Sequence, residues 1–335
     1  MKDPSGARAA TAVAGTNIAL VKYWGKRDAA LNLPAAGSLS LTLDGLATRT
    51  TVRFADDLAA DRLTLDGALA DARATARVSA FLDRVRARAG LGARAEVTSA
   101  NGMPTASGLA SSASGFAALA VAATRAAGLA LPPQELSELA RLGSGSAARS
   151  IFGGFVEMAP GARADGRDAV AAPVAGGDAW TDVRLVVAVT SDAAKAVGST
   201  EAMERTARTS PYYAPWIASV PGDLADARAA VAARDLPRLG AVAERSALRM
   251  HASALAAEPG ILYWSAATVA AIETVKALRA RGAAAFFTID AGPHVKVLCA
   301  YADAPAVEEA LLRTPGVLRT VVASPGKGAQ LVEAA

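Results

Sequence analysis

Polar and apolar residues alternate strictly from Ser38 to Leu43, a period of two that predicts a strand with one face buried. Asp44-Gly45 then reads as a hairpin turn, and Thr48 to Phe54, rich in β-formers, as the returning strand. The first 60 residues thus predict an antiparallel start. The period changes after that: Val78, Phe81, Leu82 and Val85 recur at i, i+3, i+4 and i+7, which marks one face of a helix. Past Gly90 a strand resumes over Ala93 to Thr98. The segment NGMPTASGLASSASG follows and runs into the apolar stretch Phe116 to Ala126, read as a helix. Another helix begins after Pro132-Pro133 and ends before Gly143.

The second half opens with an apolar strand, Val183 to Thr190, and passes through helical segments to a long helix over Leu262 to Arg281. Strands at Ala284 to Ile289 and Val295 to Tyr301, a helix at Ala304 to Leu312 and a strand at Val317 to Ala323 complete it. With Val183 to Thr190 this is a β-α-β-β-α-β order, the split-βαβ pattern of ferredoxin-like domains, with extra helices after the first strand. The expected fold class is α+β in two domains, residues 1–182 and 183–335. The boundary lies in the aperiodic Gly/Ala/Asp-rich stretch Gly161 to Asp182.

Composition narrows the chemistry. At 335 residues, with 52% apolar and 20% charged positions, the chain is long enough for a real core and too apolar for disorder. Its net charge of +4 is spread thinly, so neither nucleic acid nor an anionic membrane is an expected partner. No stretch reaches the ~20 apolar residues of a membrane span, and the N-terminus lacks a signal-peptide core, which makes a cytoplasmic enzyme the leading expectation. One cysteine, Cys299 in an apolar run, excludes an intramolecular disulfide, and two histidines leave little room for zinc. Catalysis must use carboxylates, Lys, Arg, Ser and backbone.

Four segments carry such groups. Pro104 to Gly115 offers small residues and successive N–H groups ahead of a helix N-terminus, a phosphate cradle without the Gly-Lys-Ser/Thr ending of a Walker A loop. Asn17 to Asp28 ends an apolar strand in Lys22, Lys26 and Arg27 interleaved with Tyr23 and Trp24, which suits an anionic ligand. Gly143 to Gly154 sets Arg149 among small hydroxyl residues, where its planar fork could clamp a carboxylate. Phe286 to Pro293 places Asp290 at the end of an apolar strand; alone it is more commonly a turn cap, but beside cationic phosphate ligands it could take or orient a hydroxyl proton. Gly198 to Met203 reads as a capped helix start, which capping alone explains, and His251 and His294 as structural or supporting groups.

NIALVKYWGKRD, LNLP, SLSLTL, MPTASGLASSASG, GSGSAARSIFGGFVE, GSTEAMERT with TSPYY, and TIDAGP occur in one order. With these motifs the chain resembles the mevalonate diphosphate decarboxylases of the GHMP kinase superfamily from about Ala12 to Lys327. The resemblance implies a ribosomal-protein-S5-like N-terminal domain that binds ATP and a ferredoxin-like C-terminal domain. It also implies ATP and Mg2+, small-molecule substrates and a homodimer. The implied reaction phosphorylates the C3 hydroxyl of mevalonate 5-diphosphate and then releases phosphate and CO2 to give isopentenyl diphosphate. By similarity Asp290, Lys22 and Arg149 are catalytic, Arg149 gripping the C1 carboxylate. Asn17, Tyr23, Lys26, Ser144, Ser146, Ser199 and Met203 are implied to hold the substrate. Pro104, Ser107, Gly108, Leu109, Ser111 and Ser112 are implied to hold ATP, with Ser111 or Ser112 near its Mg2+. Alternatives are a decarboxylase of mevalonate 5-phosphate, a plain kinase of the superfamily, and a nucleotide-binding module without turnover.

Overall fold

The computed structural model describes residues 8–102, 111–177, 180–193 and 195–333, apart from the side chain of Ser111. The first part of the chain forms β1 (Arg8–Val21), β2 (Lys26–Asp28), β3 (Leu33–Pro34), β4 (Ser38–Ala55), β5 (Arg62–Leu65), β6 (Ala68–Leu69), α1 (Ala72–Ala89) and β7 (Arg94–Asn101). Then come α2 (Ser111–Ala126), α3 (Pro133–Gly143), the single turn α4 (Ala147–Ser150), β8 (Phe155–Met158) and β9 (Ala171–Pro173). The remainder forms β10 (Val183–Val189), α5 (Ser199–Thr209), α6 (Tyr213–Ala233), α7 (Leu236–Leu255), α8 (Ala266–Ala280), β11 (Ala285–Ile289) and β12 (Val295–Ala300). It ends with α9 (Ala304–Leu312), β13 (Arg319–Ala323) and β14 (Gln330–Val332).

One sheet runs β14-β1-β4-β7-β5-β6, with β8 paired to β4 and β9 paired to β8. Helix α2 lies on it through Ala117, Ala120 and Ala123, all fully buried against a cluster that includes Ala12, Ala14 and Val52. Alanine is the best helix former and the smallest side chain with a Cβ, so the helix both forms and approaches the strands closely. The second sheet has the order β11-β12-β10-β13, antiparallel throughout, which is the split-βαβ order the sequence predicts. Its strands alternate: Val186, Ala188 and Phe287 pack toward α8 and α9, while Leu185, Val187 and Leu298 face a cluster shared with Ile18, Leu20 and Leu39 of the first sheet. The fold is α+β in two domains. Because β14 returns to pair with β1, a single division at 182–183 does not separate the two sheets.

Two expectations are corrected. Asp44-Gly45 is no hairpin: β4 is one strand through it, and the pairing with β1 jumps from Gly15↔Ala47 to Asn17↔Thr42, leaving residues 43–46 as a bulge. Gly45 takes the positive φ of +75° that the Asp-Gly pair signals, but the backbone groups freed there are met by a distant segment. Asp44 N donates to Ser324 O at 2.9 Å and Gly326 N to Thr42 O at 2.8 Å. The second correction concerns α8, which starts at Ala266 rather than near Leu262. A capping box between Ser265 and Thr268 satisfies its first N–H groups and sets the start. Cys299 is buried as expected, and burial pushes its thiol up to about 12.

Candidate active site

The site begins where β1 ends. Lys22 is held by its backbone N, which donates to Ser246 Oγ of α7 at 3.0 Å, and its ammonium donates to Ala19 O at 2.8 Å and Asp290 Oδ1 at 2.7 Å. Asp290 follows β11 directly, and its other oxygen lies 3.1 Å from the ammonium of Lys296 on β12. Burial by itself pushes the Asp290 carboxyl up, yet the two lysines prevail and hold it well below the usual carboxylate range. Burial brings Lys22 down to about 8 against the pull of Asp290. His251 sits behind, 3.3 Å from Ile289 O; burial first and the Lys22 charge second push it down to about 3, so it is neutral at pH 7.

Arg149, on α4, is 2% exposed. Its guanidinium donates to Ser38 Oγ at 2.6 Å, Ser40 Oγ at 2.9 Å and Asn17 Oδ1 at 3.1 Å. Asn17 is itself fixed by donating to Ser150 Oγ and Ser146 O. Those acceptors are all neutral, and burial brings Arg149 down to about 10. A buried cation whose described acceptors carry no charge is costly unless an anion joins it, and the planar fork suits a carboxylate.

Of these groups, Asn17, Lys22, Arg149 and Asp290 face one cleft of about 470 Å³. Asn17, Lys22, Tyr23, Lys26, Ser112, Ser144, Ser146, Arg149, Ser199, Met203 and Asp290 all line it, although they come from segments spread over the whole chain. Five cations contribute to the wall, Lys22, Lys26, Arg77, Arg149 and Lys195, against the one carboxylate of Asp290 among the described lining residues. The charge balance calls for a multiply anionic ligand. Tyr23 is kept neutral, its phenol pushed up to about 12 by burial, and Gly145 lets it close in: a Cβ there would lie 2.2 Å from Tyr23 Oη. Ser144 Oγ and Ser112 Oγ are 3.5 Å apart, joining the α3 end to the α2 start.

Sequence reasoning missed Lys195, Arg77, Lys296, Ser38 and Ser40. Lys195 donates to Ser199 Oγ at 2.8 Å and Ala291 O at 3.3 Å, tying the start of α5 to the turn after Asp290. Arg77 donates to Gly143 O at 2.7 Å and lies over the Phe116 ring. Lys296 carried a signal, a lone charge inside the apolar strand Val295-Lys296-Val297; the others had none beyond residue type. Pro104, Ser107, Gly108 and Leu109 lie outside the described residues, and Ser111 opens α2. Next to Ser112 is a second cavity of about 300 Å³, walled by Leu63, Val97, Phe116 and Leu119 with Asp66 and Asn101 at its polar side.

Residues 14–171 match the diphosphomevalonate decarboxylase-like N-terminal domain, and residues 185–322 match the mevalonate 5-diphosphate decarboxylase C-terminal domain. The chain belongs to the diphosphomevalonate decarboxylase family. It is 38% identical to the diphosphomevalonate decarboxylase of Gibberella zeae over 92% of this chain and 85% of the relative. It is 37% identical to the human enzyme over 86% of this chain and 76% of the relative. Among solved structures, the mevalonate diphosphate decarboxylase of Staphylococcus aureus superposes with a TM-score of 0.92 at 38% identity, covering 98% of both chains. A relative solved in complex with MVAPP, AMPPCP and magnesium also gives 0.92, at 41% identity, covering 98% of this chain and all of its own.

Proposed function

We propose that this member of the family catalyses the ATP-dependent decarboxylation of mevalonate 5-diphosphate to isopentenyl diphosphate. The observation that carries the reading is the cleft's arrangement: an ionised Asp290 held by lysines on one side and a buried, anion-seeking Arg149 on the other, within a wall of further cations. In this reading Asp290 accepts a hydrogen bond from the C3 hydroxyl and orients it in line with the γ-phosphoryl of ATP. Lys22 has a third ammonium hydrogen to offer the transferred phosphoryl, and Arg149 holds the substrate carboxylate. The hydroxyl oxygen bonds to phosphorus as its proton passes by way of the Asp290 carboxylate to an oxygen of the transferred phosphoryl, and the bond to ADP breaks. The electrons of the bond to the departing CO2 then form the double bond as phosphate leaves C3. Positive charge developing at C3 lies near the Asp290 carboxylate, which favours that transition state.

Lys26, Arg77, Tyr23, Ser144 and Ser199 line the same cleft and offer donors for a diphosphate, and the surplus of cations supports two phosphates rather than one. The apolar cavity beside Ser112 fits a nucleotide base, and the N–H groups opening α2 suit the phosphates of ATP. Among the described residues no cluster of three or more His, Cys, Asp or Glu could hold a metal. In this reading Mg2+ comes with the nucleotide phosphates, and a hydroxyl at the start of α2, Ser111 or Ser112, supplies a protein oxygen to it. The family resemblance supports a homodimer working in the cytoplasm; light scattering of the purified protein tests the dimer through a mass twice that of the chain.

The deciding experiment offers MgATP with mevalonate 5-diphosphate or mevalonate 5-phosphate in parallel and follows ADP and CO2. Equal ADP and CO2 from the diphosphate is the expected result. Preference for the monophosphate, or ADP without CO2, would reject this substrate or this chemistry.

A further inference from the structure

Lys296 is a buried cation that the cleft does not expose. It is the second residue of β12, register-paired with Thr288 on β11 and Val187 on β10, on the sheet face that packs toward the first sheet. Only 3% of it is exposed, and it is absent from the cleft wall. Its ammonium meets Asp290 Oδ2 at 3.1 Å and His294 O at 3.3 Å. Lys22 meets the opposite oxygen, Oδ1, at 2.7 Å from the other sheet.

A carboxylate held by one oxygen keeps a broad, two-fold torsion about its terminal bond. Held by both oxygens from opposite sides it has one orientation, and each oxygen still has a lone pair for a substrate hydroxyl. We propose that Lys296 is a positioning residue of the reaction, clamping Asp290 from behind so that Lys22 and Lys296 together fix the carboxylate's orientation and keep it ionised. This rests on the decarboxylase reading for its activity readout, but the clamp itself is measurable without turnover.

The charged and titratable groups facing Asp290 are Lys22 at the end of β1, Lys296 on β12, Lys195 ahead of α5, Arg149 on α4 and His251 on α7. His251 is neutral, and Lys195 and Arg149 act at longer range; Lys296 is the second of two direct contacts. Removing it allows the carboxyl to titrate at higher pH and to turn.

The test compares Lys296→Met, which keeps the length and apolar stem, with Lys296→Arg. In protein carrying 13C-labelled aspartate carboxyls, the Asp290 signal is assigned by its loss in Asp290→Asn. Wild-type Asp290 should stay ionised below the ordinary aspartate range near about 4, and in Lys296→Met its titration should move upward. Turnover should show kcat down about 10- to 100-fold with KM nearly unchanged, the acid limb of kcat displaced to higher pH, and Lys296→Arg recovering much of the loss. Wild-type Asp290 titrating near about 4 overturns the clamp even if no variant folds. So does Lys296→Met with kcat and titration unchanged, or with a lowered melting temperature and a kcat loss that Lys296→Arg does not relieve. An inactive wild type with the titration as expected would instead reject the decarboxylase reading and leave the clamp standing.

Discussion

Lys22 and Asp290 stand 268 residues apart in the chain and 2.7 Å apart in the fold, an ion pair that joins the end of β1 to the end of β11. Because the two act as a unit, Asp290→Asn and Lys22→Met should each lower kcat by about a thousandfold, and the double variant should be little worse than either. Single-turnover rates for the three variants check this. Losses that multiply instead would mean the pair does not work as one.

Activity and stability should move in opposite directions in alkali. Lys22 is held at about 8 against an ordinary 10.5, so the folded chain gives up this proton before the unfolded chain does. Between those values the unfolded state binds more protons, and the Lys22 contribution to stability rises with pH. Over the same window the ammonium that the proposed mechanism offers to the transferred phosphoryl is lost, so kcat/KM should fall above about pH 8. Lys22→Arg, which keeps its charge, should carry the falling limb to higher pH in any rate it retains. Initial rates and thermal melts across the same buffers decide.

Arg149→Met should leave Asn17, Ser38 and Ser40 without their donor and the substrate carboxylate without its fork. A loss of about 2–3 kcal/mol of transition-state binding, or roughly 30- to 150-fold in kcat/KM, is expected. Arg149→Lys should recover little, since a point charge cannot make the paired contact. The ADP to CO2 ratio is the informative reading: a variant that makes ADP but little CO2 separates the carboxylate grip from the phosphoryl step.

Gly145→Ala tests the proposed hold of Tyr23 on the diphosphate. The added Cβ would lie 2.2 Å from Tyr23 Oη and 2.5 Å from Cζ, so the half-buried ring must swing away. KM for the diphosphate should rise about tenfold, with about 1 kcal/mol lost in stability. The double variant with Tyr23→Phe removes the closer atom and should relieve part of the stability loss, as thermal melts would show.

Local signals made α1 and the second sheet legible: Val78, Phe81, Leu82 and Val85 recur at helical spacing, and β10 is a short apolar run. The Asp44-Gly45 bend was read as the wrong structure, since a left-handed glycine serves a bulge as well as a hairpin and Ser324 and Gly326 decide between them from far along the chain. Within the site, Lys22, Arg149 and Asp290 stood out through unusual neighbours and through family likeness. Ser38 and Ser40 did not, because the same alternation that predicts their strand makes them ordinary, and only the position of Arg149 gives their hydroxyls a task. Lys296 differed from both: its place in an apolar strand was visible, but its partner is fixed by the β11–β12 register.

The return of β14 to β1 bears on how the chain is made. Thr11, Ala12 and Val13 form part of the first long strand to be synthesised, and their outer partners are Gln330, Leu331 and Val332. At ribosomal rates of about 5–20 residues per second, roughly 15–65 s separate the two. During that interval this stretch of β1 is an open edge, the kind of surface that recruits other strands. Chaperone dependence during translation is therefore expected to concentrate on the N-terminal sheet, ending only as the last strand emerges and closes it.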